Sequence, residues 1–265
     1  MTLPIYQVDA FTDQVFRGNP AAVMPLEAWL EDDRLQAIAT ENNLSETAFL
    51  VRSGEGYELR WFTPEVEVDL CGHSTLASAH VLFEHLGQAG DQVRFFTRSG
   101  ELRAMRGEGG VTLDFPASPL SPVEVDVAVC DALGAIASEA MQVGEKSNRL
   151  ALYVYEFQED VAGLAPDFRA LVAATGDCII ATAPGDECDF VSRFFAPSVG
   201  IDEDPVTGSA HCALVPYWSS RLHLDRLEAR QISARGGQLT CELRGERVLM
   251  TGRAVTFMQG MVEVL

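Results

Sequence analysis

Apolar residues along this chain fall into two kinds of run. Short apolar or alternating stretches such as YELRWF, QVRFFT, GVTLDF, RLALYVY, FVSRFF, QLTCEL, RVLMTGR and AVTFMQGMVEVL stand between glycines and charged turn residues. These predict strands. Two longer runs have no polar side: residues 74–86 (STLASAHVLFEHL) and residues 209–218 (SAHCALVPYW). Each predicts a helix that must be buried on all sides. Gly87 is placed to end the first, and Pro216 falls near the end of the second. Wrapping a curved antiparallel sheet around such a helix is the simplest way to bury it. The predicted fold class is therefore α+β, with two halves, each a rolled antiparallel sheet or barrel around a central helix. A third span, Val123 to Val143, carries Glu124, Asp126, Asp131 and Glu139, and predicts an amphipathic helix rather than a membrane span.

The two halves read as copies. RWFTP at 60–64 returns as RFFAP at 193–197, an offset of 133 residues, half the chain. Held without a gap, that offset sets Glu46 on Ile179, Ala77 on Ala210 and Cys71 on Asp204. Between the copies lies FPASPLSP, with Pro116, Pro119 and Pro122, residues that break both helices and ladders. The expected halves are 1–118 and 119–265, with the site in a cleft between them.

The chain carries 39 acidic against 19 basic residues, a net charge of −20. Such a field repels phosphate backbones and anionic lipid, so neither nucleic acid nor membrane is an expected partner. An anionic substrate then needs a local positive site. Residues 1–10 lack the basic start and long apolar stretch of a secretory leader. Six scattered cysteines with no CxxC pair suggest free thiols in a reducing cytosol.

Two matching loops precede the buried helices: Leu70-Cys71-Gly72-His73-Ser74-Thr75 and Asp204-Pro205-Val206-Thr207-Gly208-Ser209. Glycine lets a ligand approach the backbone, and free N–H groups at a helix start bind carboxylate or phosphate. The same loops also read as ordinary caps, with Ser74 and Ser209 near capping positions. Glu46, in the apolar strand LSETAFLV, sits opposite the apolar Ile179 and is expected to be buried. A desolvated carboxylate of that kind takes and returns protons near neutral pH. His73 is the other residue there able to hold a proton near pH 7. His73, His80 and His85, with Cys71 nearby, lack the i, i+4 pair of a helical zinc site, so no metal is expected. There is no Gly-x-Ser-x-Gly motif and no phosphate-binding glycine loop, and Lys146, the only lysine, sits in a polar loop unsuited to a Schiff-base cofactor.

Several motifs in order, VDAFT (8–12), GNPAAV (18–23), NLSETAFL (43–50), WFTPEVEVDLCGHSTLA (61–77), RFFAP (193–197), GIDEDPVTGSAH (200–211), ARGG (234–237) and TGRAV (251–255), make the chain resemble the phenazine-biosynthesis F (PhzF-like) isomerase family, a relative of diaminopimelate epimerase. The resemblance implies the duplicated roll, last strands that return to the first half, a homodimer, and proton-transfer chemistry on a small carboxylate-bearing, cyclic amino or hydroxy acid without metal or organic cofactor. The family's studied enzyme isomerises trans-2,3-dihydro-3-hydroxyanthranilate. By the same resemblance Glu46 carries the proton, His73 and Asp204 hold polar groups or relay protons, and Gly72, Ser74, Gly208 and Ser209 seat the carboxylate. Asn19, Cys71 and Arg235 are further candidates. The epimerase relatives use a cysteine in each helix-start loop; here the expected second place holds Asp204. Two alternatives stand: an amino-acid epimerase or racemase using Cys71 with a carboxylate, and a non-catalytic binding or interaction protein on the same scaffold.

Overall fold

A computed structural model describes residues 1–145, 147 and 149–264. Lys146, on which the Schiff-base argument turned, lies outside the described residues. The chain forms two compact units: residues 1–115 with 249–265, and residues 116–248. The division falls three residues before the predicted one, and the final segment belongs to the first unit rather than the second.

The first unit contains β1 (Thr2–Ala10), β2 (Asn19–Leu26), α1 (Asp32–Asn42), β3 (Glu46–Ser53), β4 (Gly56–Phe62), β5 (Glu67–Val68), α2 (Gly72–Glu84), β6 (Gln92–Thr97), β7 (Gly100–Gly107) and β8 (Gly110–Pro116). Strand β2 runs parallel to β3, β4 is antiparallel to β3 and β5, and β6 is parallel to β4. The strands are sandwiched between helices. Phe49, Val51, Ala22, Met24 and Phe62 pack with Leu35 and Ala39 of α1, while α2 packs against β1, β2 and β3. A strand covered on both faces has no polar side, which is why Ala48-Phe49-Leu50-Val51 of β3 reads as continuously apolar. Helix α2 is buried at all but two of its thirteen positions, His80 and Glu84.

The second unit contains β9 (Leu120–Val123), α3 (Val127–Leu133), β10 (Glu139–Val143), β11 (Leu150–Val154), α4 (Gln158–Gly163), α5 (Phe168–Ala174), β12 (Cys178–Pro184), β13 (Phe190–Ala196), β14 (Ile201–Asp204), α6 (Gly208–Leu222), β15 (Arg226–Gln231), β16 (Gly237–Arg244) and the start of β17 (Arg247–Gly252), from which the chain re-enters the first unit and ends in β18 (Ala254–Glu263). The ladder repeats: β11 is parallel to β12, β13 is antiparallel to β12 and β14, and β15 is parallel to β13. The outer strands are exchanged. Strand β9 follows β8 in the chain but pairs with β10, and β18 pairs with β1 in the equivalent place.

The duplication extends to side chains. Arg60 donates from Nε and Nη2 to both carboxylate oxygens of Glu67 at 2.7 and 2.8 Å. Arg193 does the same to Glu203 at 2.7 and 2.9 Å. Each guanidinium lies over the phenylalanine two residues on, Phe62 or Phe195.

Three expectations need correction. Val123 to Val143 is not one helix. It is the end of β9, the short α3 capped by the Asp126 side chain, and β10, because Gly134 in the left-handed region stops α3. The first buried helix runs 72–84, not 74–86, and Gly87 turns the chain just beyond it at φ +63°. The second runs 208–222, straight through Pro216. Proline has no N–H for the carbonyl of Cys212 one turn back, and the N–H of Ser118 fills that acceptor at 2.8 Å. No helix among the described residues is long and apolar enough to cross a membrane.

Candidate active site

Four of the candidate residues meet in the first unit. Strand β3 starts at Glu46, and the loop before α2 supplies Cys71 and His73. Glu46 Oε2 lies 3.0 Å from His73 Nε2. The approach is at ion-pair distance but off line, and neither atom has an aligned hydrogen-bond partner although both are buried. The other ring nitrogen, Nδ1, lies 3.2 Å from Asn19 Nδ2 and 3.5 Å from Cys71 Sγ. Asn19 Oδ1 accepts the Ser45 hydroxyl at 3.3 Å. Asn19 and His73 are buried; the Glu46 side chain is 13% exposed.

The backbone explains part of the motif. Gly18 has φ +63°, and a Cβ there would stand 2.1 Å from the carbonyl of Ala10. Only glycine makes that turn, and it delivers Asn19 to the start of β2. Gly252 of TGRAV lies against Phe11 of VDAFT, where a Cβ would meet the ring at 2.4 Å.

Burial alone would lower the His73 pKa. The adjoining Cys71 and Glu46 outweigh it and hold the imidazole well above its usual 6.5. Burial also pushes the Cys71 thiol up, with the Glu46 charge adding to it, so near pH 7 it is a thiol.

The ladders revise the mapping of the repeat. Glu46 and Cys178 each begin a strand, partly buried, before five buried residues. Glu46 thus corresponds to Cys178 and not to Ile179. The helices also align from their starts, Gly72 with Gly208. Cys71 is the N-cap of α2 and Thr207 that of α6, so the counterpart of Cys71 is Thr207 rather than Asp204. The ungapped offset failed because the second unit carries extra residues in the β12–β13 connection and again around β14. Neither N-cap side chain bonds the helix start. The capping expected from Ser74 and Ser209 does not occur: Ser74 is buried within the first turn of α2, and Ser209 is exposed.

In the second unit, Asp204 is buried and its Oδ2 accepts the Thr207 hydroxyl at 2.5 Å. Gln231, also buried, accepts the Thr207 N–H at 2.8 Å and donates to the Asp204 carbonyl at 2.7 Å. Sequence reasoning missed Gln231, which ends an alternating strand three residues before the ARGG motif. The Ser233 hydroxyl donates to the Pro205 carbonyl and accepts the Gly236 N–H, tying the half-exposed Arg235 turn to the loop that leads into Gly208. His80 and His85 share the hydroxyl of Thr256 at 2.9 and 2.7 Å.

Comparison with known proteins places the chain among isomerases of the epimerase-like fold. The family model for phenazine biosynthesis-like proteins (PhzC-PhzF) matches residues 8–260, and the chain belongs to that family. It is 51% identical to an uncharacterized isomerase of Pseudomonas aeruginosa over 98% of each chain. A solved PhzF-family protein from Enterococcus faecalis is 47% identical, with a TM-score of 0.95 and full coverage of both chains. A hydroxyproline epimerase from Agrobacterium vitis, 13% identical over 98% of this chain and 92% of its own with a TM-score of 0.61, shares the fold.

Proposed function

We propose that the protein is a cytosolic, cofactor-independent isomerase that moves a proton between carbons of a small carboxylate-bearing substrate, with Glu46 as the carrier. The observation that carries this reading is the buried Glu46–His73 contact, in which a carboxylate oxygen and an imidazole nitrogen stand 3.0 Å apart without aligned partners. A structural ion pair is normally completed by further hydrogen bonds; an incomplete one is available to a substrate. Six free cysteines fit a reducing compartment.

Glu46 takes a proton from a substrate carbon as the bond electrons shift, and returns it to another carbon. His73 donates its N–H toward the charge that develops during the shift. The first turn of α2, with no side-chain cap, offers backbone N–H groups and the positive end of its dipole to the substrate carboxylate. This meets the need of a strongly acidic protein for a local anion seat. Asp204, held by Thr207, is the candidate for a second polar contact.

The Cys71–His73 contact at 3.5 Å favours one second reading, epimerisation with the thiol as an acid. Incubation in D₂O with dihydro-hydroxyanthranilate and a panel of small cyclic amino and hydroxy acids, followed by NMR, separates the two. The isomerase reading requires deuterium at a carbon other than the one deprotonated, and its loss in Glu46→Gln. Deuterium at the same carbon with inverted configuration selects the epimerase. Exchange that persists in Glu46→Gln removes Glu46 from the reaction.

A further inference from the structure

Glu46, Cys71 and His73 each offer a donor atom, and the three atoms lie within 4.8 Å of one another. The set combines oxygen, sulfur and nitrogen donors, the types that bind zinc. Linear spacing hides it, because Glu46 comes from β3 and the other two from the start of α2. Ligands placed tetrahedrally around zinc at about 2.0–2.3 Å stand roughly 3.3–3.7 Å apart. The approach of Glu46 to Nε2, 3.0 Å, is somewhat closer than that range, and Cys71 Sγ stands 3.5 Å from the other ring nitrogen, Nδ1.

A second observation points to a ligand. Nε2 of His73, a residue only 4% exposed, and Oε2 of Glu46 are buried with no aligned hydrogen-bond partner. Nδ1 faces Asn19. A metal-bound histidine typically has its second nitrogen fixed by such a partner, which leaves Nε2 as the ligand. Cys71 Sγ lies on the Nδ1 side, so binding requires this side chain to turn about its Cα–Cβ bond toward Nε2.

We propose that this chain binds one zinc ion, or a similar soft divalent cation, through Glu46, Cys71 and His73, with water in the fourth position, and that the ion inhibits the enzyme rather than serving it. Binding releases two protons to solvent, one from the thiol and one held between His73 and Glu46. Carboxylate, imidazolium and thiol sum to zero charge; so do Zn²⁺, carboxylate, neutral imidazole and thiolate. The exchange therefore buries no net charge. It occupies the lone pairs that Glu46 needs to take a proton. The inhibition rests on the proposed isomerase reading, whereas the binding does not.

Cobalt titration of the purified full-length chain, without substrate, tests the binding. The expected result is a thiolate-to-cobalt charge-transfer band that saturates at one equivalent and is bleached by Zn²⁺. The band should vanish in Cys71→Ser. Affinity should fall in His73→Asn and in Glu46→Gln by more than the roughly 10–100-fold that loss of an outer-shell partner costs, and stay unchanged in Cys178→Ala, with circular dichroism checking each fold. If Cys71→Ser does not fold, the His73→Asn and Glu46→Gln affinities decide. No band in the wild type, a band that survives in folded Cys71→Ser, or unchanged affinity in both other variants would overturn the site. Deuterium uptake without added metal reports on the isomerase reading separately. If the band forms but Zn²⁺ leaves uptake unaffected, inhibition is refuted.

Discussion

Asn19 Nδ2 lies 3.2 Å from Nδ1 of His73, and its Oδ1 accepts the hydroxyl of Ser45. In this arrangement the amide donates to a neutral ring whose proton sits on Nε2, facing Glu46. An imidazolium has N–H on both nitrogens and needs an acceptor instead. Half a turn of the amide supplies Oδ1, and Ser45 then accepts rather than donates, which a hydroxyl does equally well. Ser45 and Asn19 thus form a relay that fits both charge states of His73. Asn19→Ala should lower kcat about tenfold, the value of roughly one hydrogen bond. It should also shift the NMR titration of the His73 ring to lower pH, which a merely structural role would not do.

Glu46→Gln keeps the shape and removes the charge. The expected loss in kcat is about 10²–10⁴, the usual worth of a positioned acid–base group. KM should change little, and the thermal unfolding temperature should stay close to that of the wild type. The His73 titration should move down in the same variant, because Glu46 is one of the groups that raise it.

Two buried histidines should act on stability in opposite directions. Burial lowers His211 to about 4, with the Thr207 carbonyl only partly offsetting it. The unfolded chain protonates this residue near 6.5 and the folded one does not. Stability is therefore full above pH 6.5 and falls as pH drops toward 4, by up to about 1.4 kcal/mol per pH unit. His73 is raised, so its contribution is full below 6.5 and fades as pH climbs through its folded value. Unfolding temperatures across pH 4–9 should show a flatter acid limb in His211→Asn and a gap between His73→Asn and the wild type that narrows at alkaline pH.

Arg193, the first residue of the RFFAP motif, ties together elements of the second unit. Besides Glu203, it donates to the carbonyls of Val161 and Leu164. Arg193→Met should cost roughly 3–5 kcal/mol by denaturant unfolding, because Glu203 is left mostly buried and unpaired. Pairing it with Glu203→Gln should recover part of that loss. A simple sum of the two single losses would mean that the ion pair is not the reason.

Most of the architecture could be read from the sequence, because burial leaves a mark on composition. A helix with apolar residues on every side has to be enclosed, and RWFTP and RFFAP point to duplication. The finer register could not be read this way. Glu46 corresponds to Cys178 and Cys71 to Thr207 because insertions fall in loops, where residues are under little constraint. Gln231 was invisible for a related reason. Its role comes from bonding backbone and side chain across the fold to Thr207, which leaves no local pattern. The contact between Glu46 and His73 joins a strand end to a helix start; their motifs were legible, but their meeting depended on the chain's path between them.

The exchange of outer strands affects how the protein is made. A chain emerging from the ribosome usually completes its N-terminal portion first. Here the contiguous unit, residues 116–248, has all its strands once β17 begins, while the unit holding Glu46 and His73 waits for β18, which is synthesised after all of them. Until then β1 presents an unpaired edge. During synthesis the half with Glu46 and His73 is the late one, and a nascent chain stalled before residue 254 would carry these residues on an unfinished sheet open to mispairing.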